Sequence, residues 1–319
     1  MSRFRNLRSV LRSVVFAAVP LLAACQCPEP TERTVVLDPD SAKLSALVDQ
    51  CEQTSDCEEL CTLVVQLLEG PLAAEYIYFS ICELTDIPGE TRPVVHYKYA
   101  PECIGGRRPD GLCDTRIARS DQVVGDWFAT LSRLEGASVH AFVGIAAELH
   151  HHGAPKELVQ RAIASARDEM RHTWLAGALA MRYGAKPVLP VVEPQADRSL
   201  VDFAIENAAE GCVREAFGAV VATFQGQASS DPVVRAAMTR IAEDETRHAE
   251  LSIAIDRWVL TKLDPADRSR VEVARRAAIE ELAASVATEP APELIDQAGL
   301  PAAEQAAALL RHADAALWS

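Results

Sequence analysis

The chain has 319 residues, of which 49% are hydrophobic, 24% charged and only 5% aromatic, so it can bury a full-sized core and is not disordered as a whole. A formal charge of -15, from 31 basic against 46 acidic residues, speaks against a nucleic-acid partner, because such contacts rest on clustered Lys and Arg neutralising phosphates. Nine cysteines point to an oxidising compartment.

Arg3, Arg5, Arg8 and Arg12 precede an apolar run over residues 14–24. That run suits the apolar core of a signal peptide and falls well short of the roughly 20 residues needed to span a bilayer. It ends Leu22-Ala23-Ala24-Cys25, which resembles the bacterial lipobox, whose cysteine is lipidated and becomes the first mature residue. The resemblance implies a signal peptide over 1–24 and attachment to membrane lipid through Cys25. The body would then sit in the bacterial cell envelope, facing the periplasm or the outer membrane. An ordinary cleaved secretion signal is the alternative. No other segment approaches membrane length.

Residues 25–118 read as a tether followed by a cysteine-rich region. From Cys25 to about Arg33 the chain is Pro-containing and polar, as linkers are. Cys51, Cys57 and Cys61 fall in a predicted helix, with Cys57 and Cys61 one turn apart and so on one face. Stretches rich in Ile, Val, Tyr and Phe at 75–84 and 92–99 predict two short strands. Cys82 lies in the first, and Cys103 and Cys113 flank a turn-rich segment over 105–111. No C-x-x-C pair occurs, so disulfides fit these six cysteines better than zinc; their connectivity stays open.

Near Ser120 the composition becomes Ala-rich and helical in period. Breaks at 153–155 and 229–232, and a longer crossing through Pro187, Pro190 and Pro194, divide residues 119–263 into four helices at about 121–151, 156–184, 199–227 and 232–262. Residues 264–319 predict two more helices, at about 266–287 and 302–317, a covering appendage without evident chemistry.

The second and fourth of these helices carry one pattern twice, Asp168-Glu169-Met170-Arg171-His172 and Asp244-Glu245-Thr246-Arg247-His248. The first and third also match, through Glu135-Gly136 with Ala141-Phe142 and Glu210-Gly211 with Ala216-Phe217. One helical hairpin is therefore written twice. In an α-helix, residues i and i+3 share a face. Glu169 with His172, and Glu245 with His248, thus form two faces that can each give a carboxylate and an imidazole. A single Glu from each remaining helix completes a carboxylate-bridged dinuclear site, and the expected ligands are Glu135, Glu169, His172, Glu210, Glu245 and His248. Both lone glutamates lie among apolar residues of their own helix, where an unpaired carboxylate is costly. His140 and Glu215, matched positions five residues later, are rotated about 140° away in an α-helix and are left outside the set. Glu206 is read as a further ligand, a proton relay or a partner to Arg.

Other features have blander readings. Glu148-Leu149-His150-His151 has the ligand spacing but no partner repeat, and these histidines suit a helix C-terminus. Trp174 reads as helix packing, and Cys212 as a buried free thiol. The H-E-x-x-H order of a zinc protease is absent. A bundle that has lost its metal and keeps the pairs as buried salt bridges is the structural alternative.

These residues resemble the ferritin-like di-iron carboxylate superfamily over about 120–263, and the whole chain is similar to bacterial ferritin-like lipoproteins. The resemblance implies an all-α, ferritin-like four-helix bundle built from a duplicated hairpin, with a small cysteine-rich α+β region before it and extra helices after it. It implies two iron ions, or manganese or a mixed Mn/Fe pair. The D-E-x-R-H form also occurs in bacterial multicomponent monooxygenases, where the Asp and Arg act behind the ligands. Carried over, Asp168 and Asp244 would accept a hydrogen bond from a ligating His, with Arg171 and Arg247 steadying them. The expected function is an oxidoreductase reacting with dioxygen or peroxide. The alternatives are a ferroxidase or iron-handling protein, with ferrous iron as substrate, and a metal-binding structural lipoprotein. Any electron donor would be a separate molecule, since no rubredoxin-like module is present, and no tyrosine lies close enough in sequence for a ligand-adjacent radical.

Overall fold

Asp231-Pro232 and Asp264-Pro265 each start a helix in the same way. Proline at the first turn loses no hydrogen bond, and the aspartate before it caps the free amides. Asp231 Oδ1 accepts from the Val233 amide at 2.8 Å and Asp264 Oδ1 from the Asp267 amide at 2.9 Å. In this computed structural model, residues 31–37, 42–54, 57–69, 77–101, 107–109, 111–112, 122–193 and 198–318 are described. The chain is mostly helical, with one small sheet. It forms two compact units, one over Pro28–Cys103 and one that includes everything from Ile104 to Ser319.

In the first unit, β1 (Thr31–Val36) is followed by α1 (Ala42–Thr54), α2 (Glu58–Glu69), β2 (Ile77–Thr85) and β3 (Val94–Pro101). The sheet is antiparallel in the order β1-β3-β2. Leu44, Val48, Leu60, Val64, Val65, Val95 and Tyr97 form its core. Two disulfides close it, Cys51–Cys57 and Cys61–Cys82. Two sequence expectations are corrected. The segment read as tether enters the sheet at Thr31, because β3 offers it a free edge. The helix expected through all three cysteines breaks before Glu58, so Cys57 precedes α2 and pairs backwards to Cys51 while Cys61 reaches Cys82. The expectations for residues 1–24, Cys25, Cys103 and Cys113 lie outside the described residues.

In the second unit, α3 (Val123–His151) and α4 (Lys156–Arg182) form one hairpin. The other consists of a continuous helical run over 200–228 and α7 (Pro232–Leu260). That run comprises α5 (Leu200–Glu206), a π-helical stretch at Asn207–Glu215, and α6 (Ala216–Ala228). The helices pack around two separate apolar cores. Trp127, Phe128, Leu131, Leu179, Met238 and Ile241 lie in one, and Phe142, Ile145, Leu158, Phe203, Leu251 and Ile255 in the other. In sequence, Glu135 of α3, Glu169 and His172 of α4, and Asp244, Glu245 and His248 of α7 fall between these two sets, a polar band between apolar layers. Beyond it, α8 (Pro265–Ser285) packs on the π-helical stretch, and α9 (Ala303–Ala313) follows. Among the described residues no helix is long and apolar enough to cross a membrane.

Candidate metal centre

Glu169 and His172 project from one face of α4, and Glu245 and His248 from one face of α7, as their three-residue spacing requires. These four, with Glu135 from α3 and Glu215 from the π-helical stretch, are all 0–4% exposed. Their donor atoms gather in two groups that could each hold a metal ion: Glu135, Glu169, His172 and Glu245 in one, Glu169, Glu215, Glu245 and His248 in the other. Glu169 and Glu245 belong to both.

The rings enter by Nδ1. His172 Nδ1 lies 3.0 Å from Glu245 Oε1, 3.6 Å from Glu169 Oε2 and 3.7 Å from Glu135 Oε2. His248 Nδ1 lies 3.1 Å from Glu169 Oε1 and 3.6 Å from both Glu215 Oε1 and Glu245 Oε1. On the far side of each ring stands an aspartate: Asp244 Oδ2 is 3.2 Å from His172 Nε2, and Asp168 Oδ2 is 3.5 Å from His248 Nε2. Arg171 and Arg247 each pair with both aspartates.

Burial governs the electrostatics. It pushes Glu135 well above the ordinary carboxylate range, with the neighbouring Glu169 charge adding to it. Burial also raises Glu215, against the pull of Arg107 and His248. Glu169 is held low in spite of its burial, because His172 and His248 flank it. Burial works against a charged His172, but the carboxylates of Glu135, Glu169 and Glu245 outweigh it and raise its pKa. Asp168 is drawn down to about 2: burial opposes this, and His248 and Arg171 overcome it.

The donor set fits metal. Glu135 Oε2, both oxygens of Glu169, Glu215 Oε1, Glu245 Oε1, Nδ1 of His172 and both ring nitrogens of His248 are buried without a hydrogen-bond partner. Each such atom is expensive in an apolar interior, and within each group the ligand atoms lie within 4.8 Å of one another. Four carboxylates with two neutral imidazoles balance two divalent cations.

One of the six expected ligands is not brought in. Glu210 pairs instead with Arg214, one turn on, and accepts weakly from the Arg108 amide at 3.4 Å. Glu215 stands in its place. The reason is the π-helical stretch: i→i+5 bonding adds a residue to each turn, so the α-helical projection that turned Glu215 outward does not hold there. The sequence carried a hint. Arg214 follows Glu210 at the favourable i+4 spacing, whereas Val139 occupies the matched place after Glu135. Glu206 proves to be a partner to arginine, bound two-pronged by Arg107 and 3.6 Å from Arg198.

Glu148 also pairs with Arg198, at 2.7 Å, and His150 and His151 end α3. Cys212 is a buried free thiol. Trp174, expected to pack, is 77% exposed. Arg107 was missed altogether, because its segment reads as a turn in the cysteine-rich region; it is fully buried against the helices. No family model matches this chain, and neither does any curated protein or solved structure.

Proposed function

We propose that the second unit is a ferritin-like four-helix bundle whose buried cluster holds two metal ions, iron or manganese, and that it acts as an oxidoreductase on dioxygen or peroxide. One observation carries this reading: two Glu/His groups share Glu169 and Glu245 and leave eight buried polar atoms without hydrogen bonds. Salt bridges alone are a poor account of it: His172 Nδ1 and His248 Nδ1 have carboxylate oxygens at 3.0 and 3.1 Å, yet make no hydrogen bond to them. Hard carboxylate oxygens with two imidazoles suit iron or manganese. Such a pair of ions supplies redox equivalents for small oxygen species.

The protein's own residues define the rest. Glu135 with His172, and Glu215 with His248, serve one metal position each, and Glu169 and Glu245 serve both. Asp244 fixes the His172 ring from behind, keeping Nδ1 inward, and Asp168 stands behind the His248 ring. Near-complete burial keeps bulk water from these six Glu and His residues. The arginine-rich start, the apolar run and Cys25 support a lipid-anchored place in the cell envelope.

Metal analysis of the mature protein from its natural source tests the reading. It should show two ions per chain, and Glu169→Ala with Glu245→Ala should abolish binding; none, or one, would end it. Addition of ferrous iron with dioxygen or peroxide then separates the activities. A stable oxidised centre reducible by an organic donor supports the oxidoreductase, whereas continued iron turnover with a retained ferric deposit supports iron handling.

A further inference from the structure

Arg107 is wholly buried, yet it comes from the short segment 107–109 and not from any long helix. A buried guanidinium is tolerated only when its donors are met. Nε and Nη2 donate to Glu206 at 2.9 and 3.1 Å, Nη2 also to Asn207 Oδ1 at 3.0 Å, and Nη1 to Ser252 Oγ at 3.4 Å. Nη1 also stands 3.8 Å from Glu215 Oε2. Four hydrogen bonds and one ion pair account for the five N–H groups an arginine has. Ser252 Oγ closes the ring, 3.3 Å from the same Glu215 oxygen.

Backbone shape makes room for this arrangement. A Cβ on Gly211 would lie 2.6 Å from Ser252 Oγ and 2.9 Å from Arg107 Nη1, so only glycine fits there. The carbonyl of Arg107 accepts from Ser138 Oγ at 2.9 Å, which fastens the segment to α3.

The duplication supplies an internal control. Where the second hairpin has Glu206, Asn207 and Ser252, the first has Leu131, Ser132 and Ala176. Ser132 is turned to the Thr173 carbonyl at 2.9 Å. The matched positions therefore offer no acid, no amide and no hydroxyl for an arginine, and the pocket was built on one side only.

We propose that Arg107 is a positioning residue that makes the two halves of the metal centre inequivalent. With Ser252 it holds Glu215 Oε2, leaving Oε1 presented to the position shared with His248, while Glu135 on the other half has no such hold. Arg107 is neutralised by Glu206, so its effect is orientation of Glu215 more than repulsion of a cation. This rests on the dinuclear reading above.

Cobalt(II), titrated into the metal-free full chain and followed by visible absorption and equilibrium dialysis, tests the proposal. The wild type takes two ions. Arg107→Met combined with Glu206→Gln removes both charges of the pair. It should leave one binding step within about threefold and weaken the other by roughly tenfold or more, the scale of lost outer support. Ser252→Ala, which restores the residue of the other half, should weaken that same step several-fold and leave the other step within about threefold. In a Glu215→Ala background the double substitution should change nothing further. The proposal is overturned if both steps move together, if neither moves, or if the double substitution still acts without Glu215. Should the double variant fail to fold, Ser252→Ala decides by the same criterion. A wild type that binds no cobalt would remove the dinuclear reading itself.

Discussion

Asp244 Oδ2 lies 3.2 Å from Nε2 of His172, although the two residues belong to different copies of the repeated hairpin. The reverse placement is looser: Asp168 Oδ2 stands 3.5 Å from His248 Nε2, outside hydrogen-bond geometry. Each copy of D-E-x-R-H thus places its aspartate behind the imidazole of the other, and Arg171 and Arg247 tie the two aspartates together.

Asp244→Ala should therefore weaken metal binding at the half that holds His172, not the half nearest in sequence. Loss of a partner behind a ligating His typically costs 10- to 100-fold in affinity. Manganese(II) dialysis on this variant, alone and combined with Glu135→Ala, measures it. Unchanged affinity, or a loss confined to the His248 half, would show that the contact has no orienting role.

Glu215→Ala should remove one of two bound ions, and Glu210→Ala should leave both. Metal stoichiometry by elemental analysis after dialysis separates the two glutamates. Glu210 has Arg214 to satisfy it, so its loss should appear as a small change in stability alone, of the size of other i,i+4 pairs, about 0.3–0.5 kcal/mol. Retention of two ions by Glu215→Ala is the result that would defeat this assignment.

Four of these six clustered residues were legible in the sequence because i and i+3 share an α-helical face whatever the tertiary context, and Glu135 because it lies among apolar residues of its own helix. Helix boundaries were legible for a similar local reason, as at Asp231-Pro232 and Asp264-Pro265. Glu215 was not, because a π-helical stretch leaves no mark in composition or period and turns a 140° separation into an inward side chain. Arg107 was hidden for another reason. Its burial depends on Glu206, Asn207 and Ser252, residues about 100 to 145 positions away, and no local pattern encodes that. Strand β1 was likewise a matter of pairing: Thr31–Val36 is polar enough to pass for a linker until β3 aligns with it.

Cys212 should be inert in the folded protein. Burial, with the Asp256 charge adding to it and Arg275 opposing, raises its thiol to about 12, and only the thiolate reacts. At pH 8 that leaves about one molecule in ten thousand ionised. Iodoacetamide at pH 8 should leave the Cys212 peptide unmodified in the native chain and alkylate it fully in guanidinium, as mass spectrometry would show. Because this pKa is raised above the unfolded value of about 8.5, the associated stability is complete below that pH and is lost as the pH climbs toward 12. Native alkylation at pH 8 would refute the burial of this thiol.

Trp318 should matter to the metal centre despite lying at the end of the chain. Its indole Nε1 donates to the Cys212 carbonyl at 2.7 Å, inside the π-helical stretch that carries Glu215 inward, and the ring is buried beside Val213, Phe217 and Leu310. Trp318→Phe keeps an aromatic ring there and removes the donor, leaving a buried carbonyl short of a partner. A loss of about 1 kcal/mol follows, which for a unit of this size lowers the melting temperature by roughly 2–4 °C. If the bond braces the π-helical geometry, cobalt(II) affinity should fall at the Glu215 half while the Glu135 half is unmoved. A lower melting temperature with both affinities intact would confine Trp318 to packing; no change in either would mean that the bond contributes nothing to the stretch it touches.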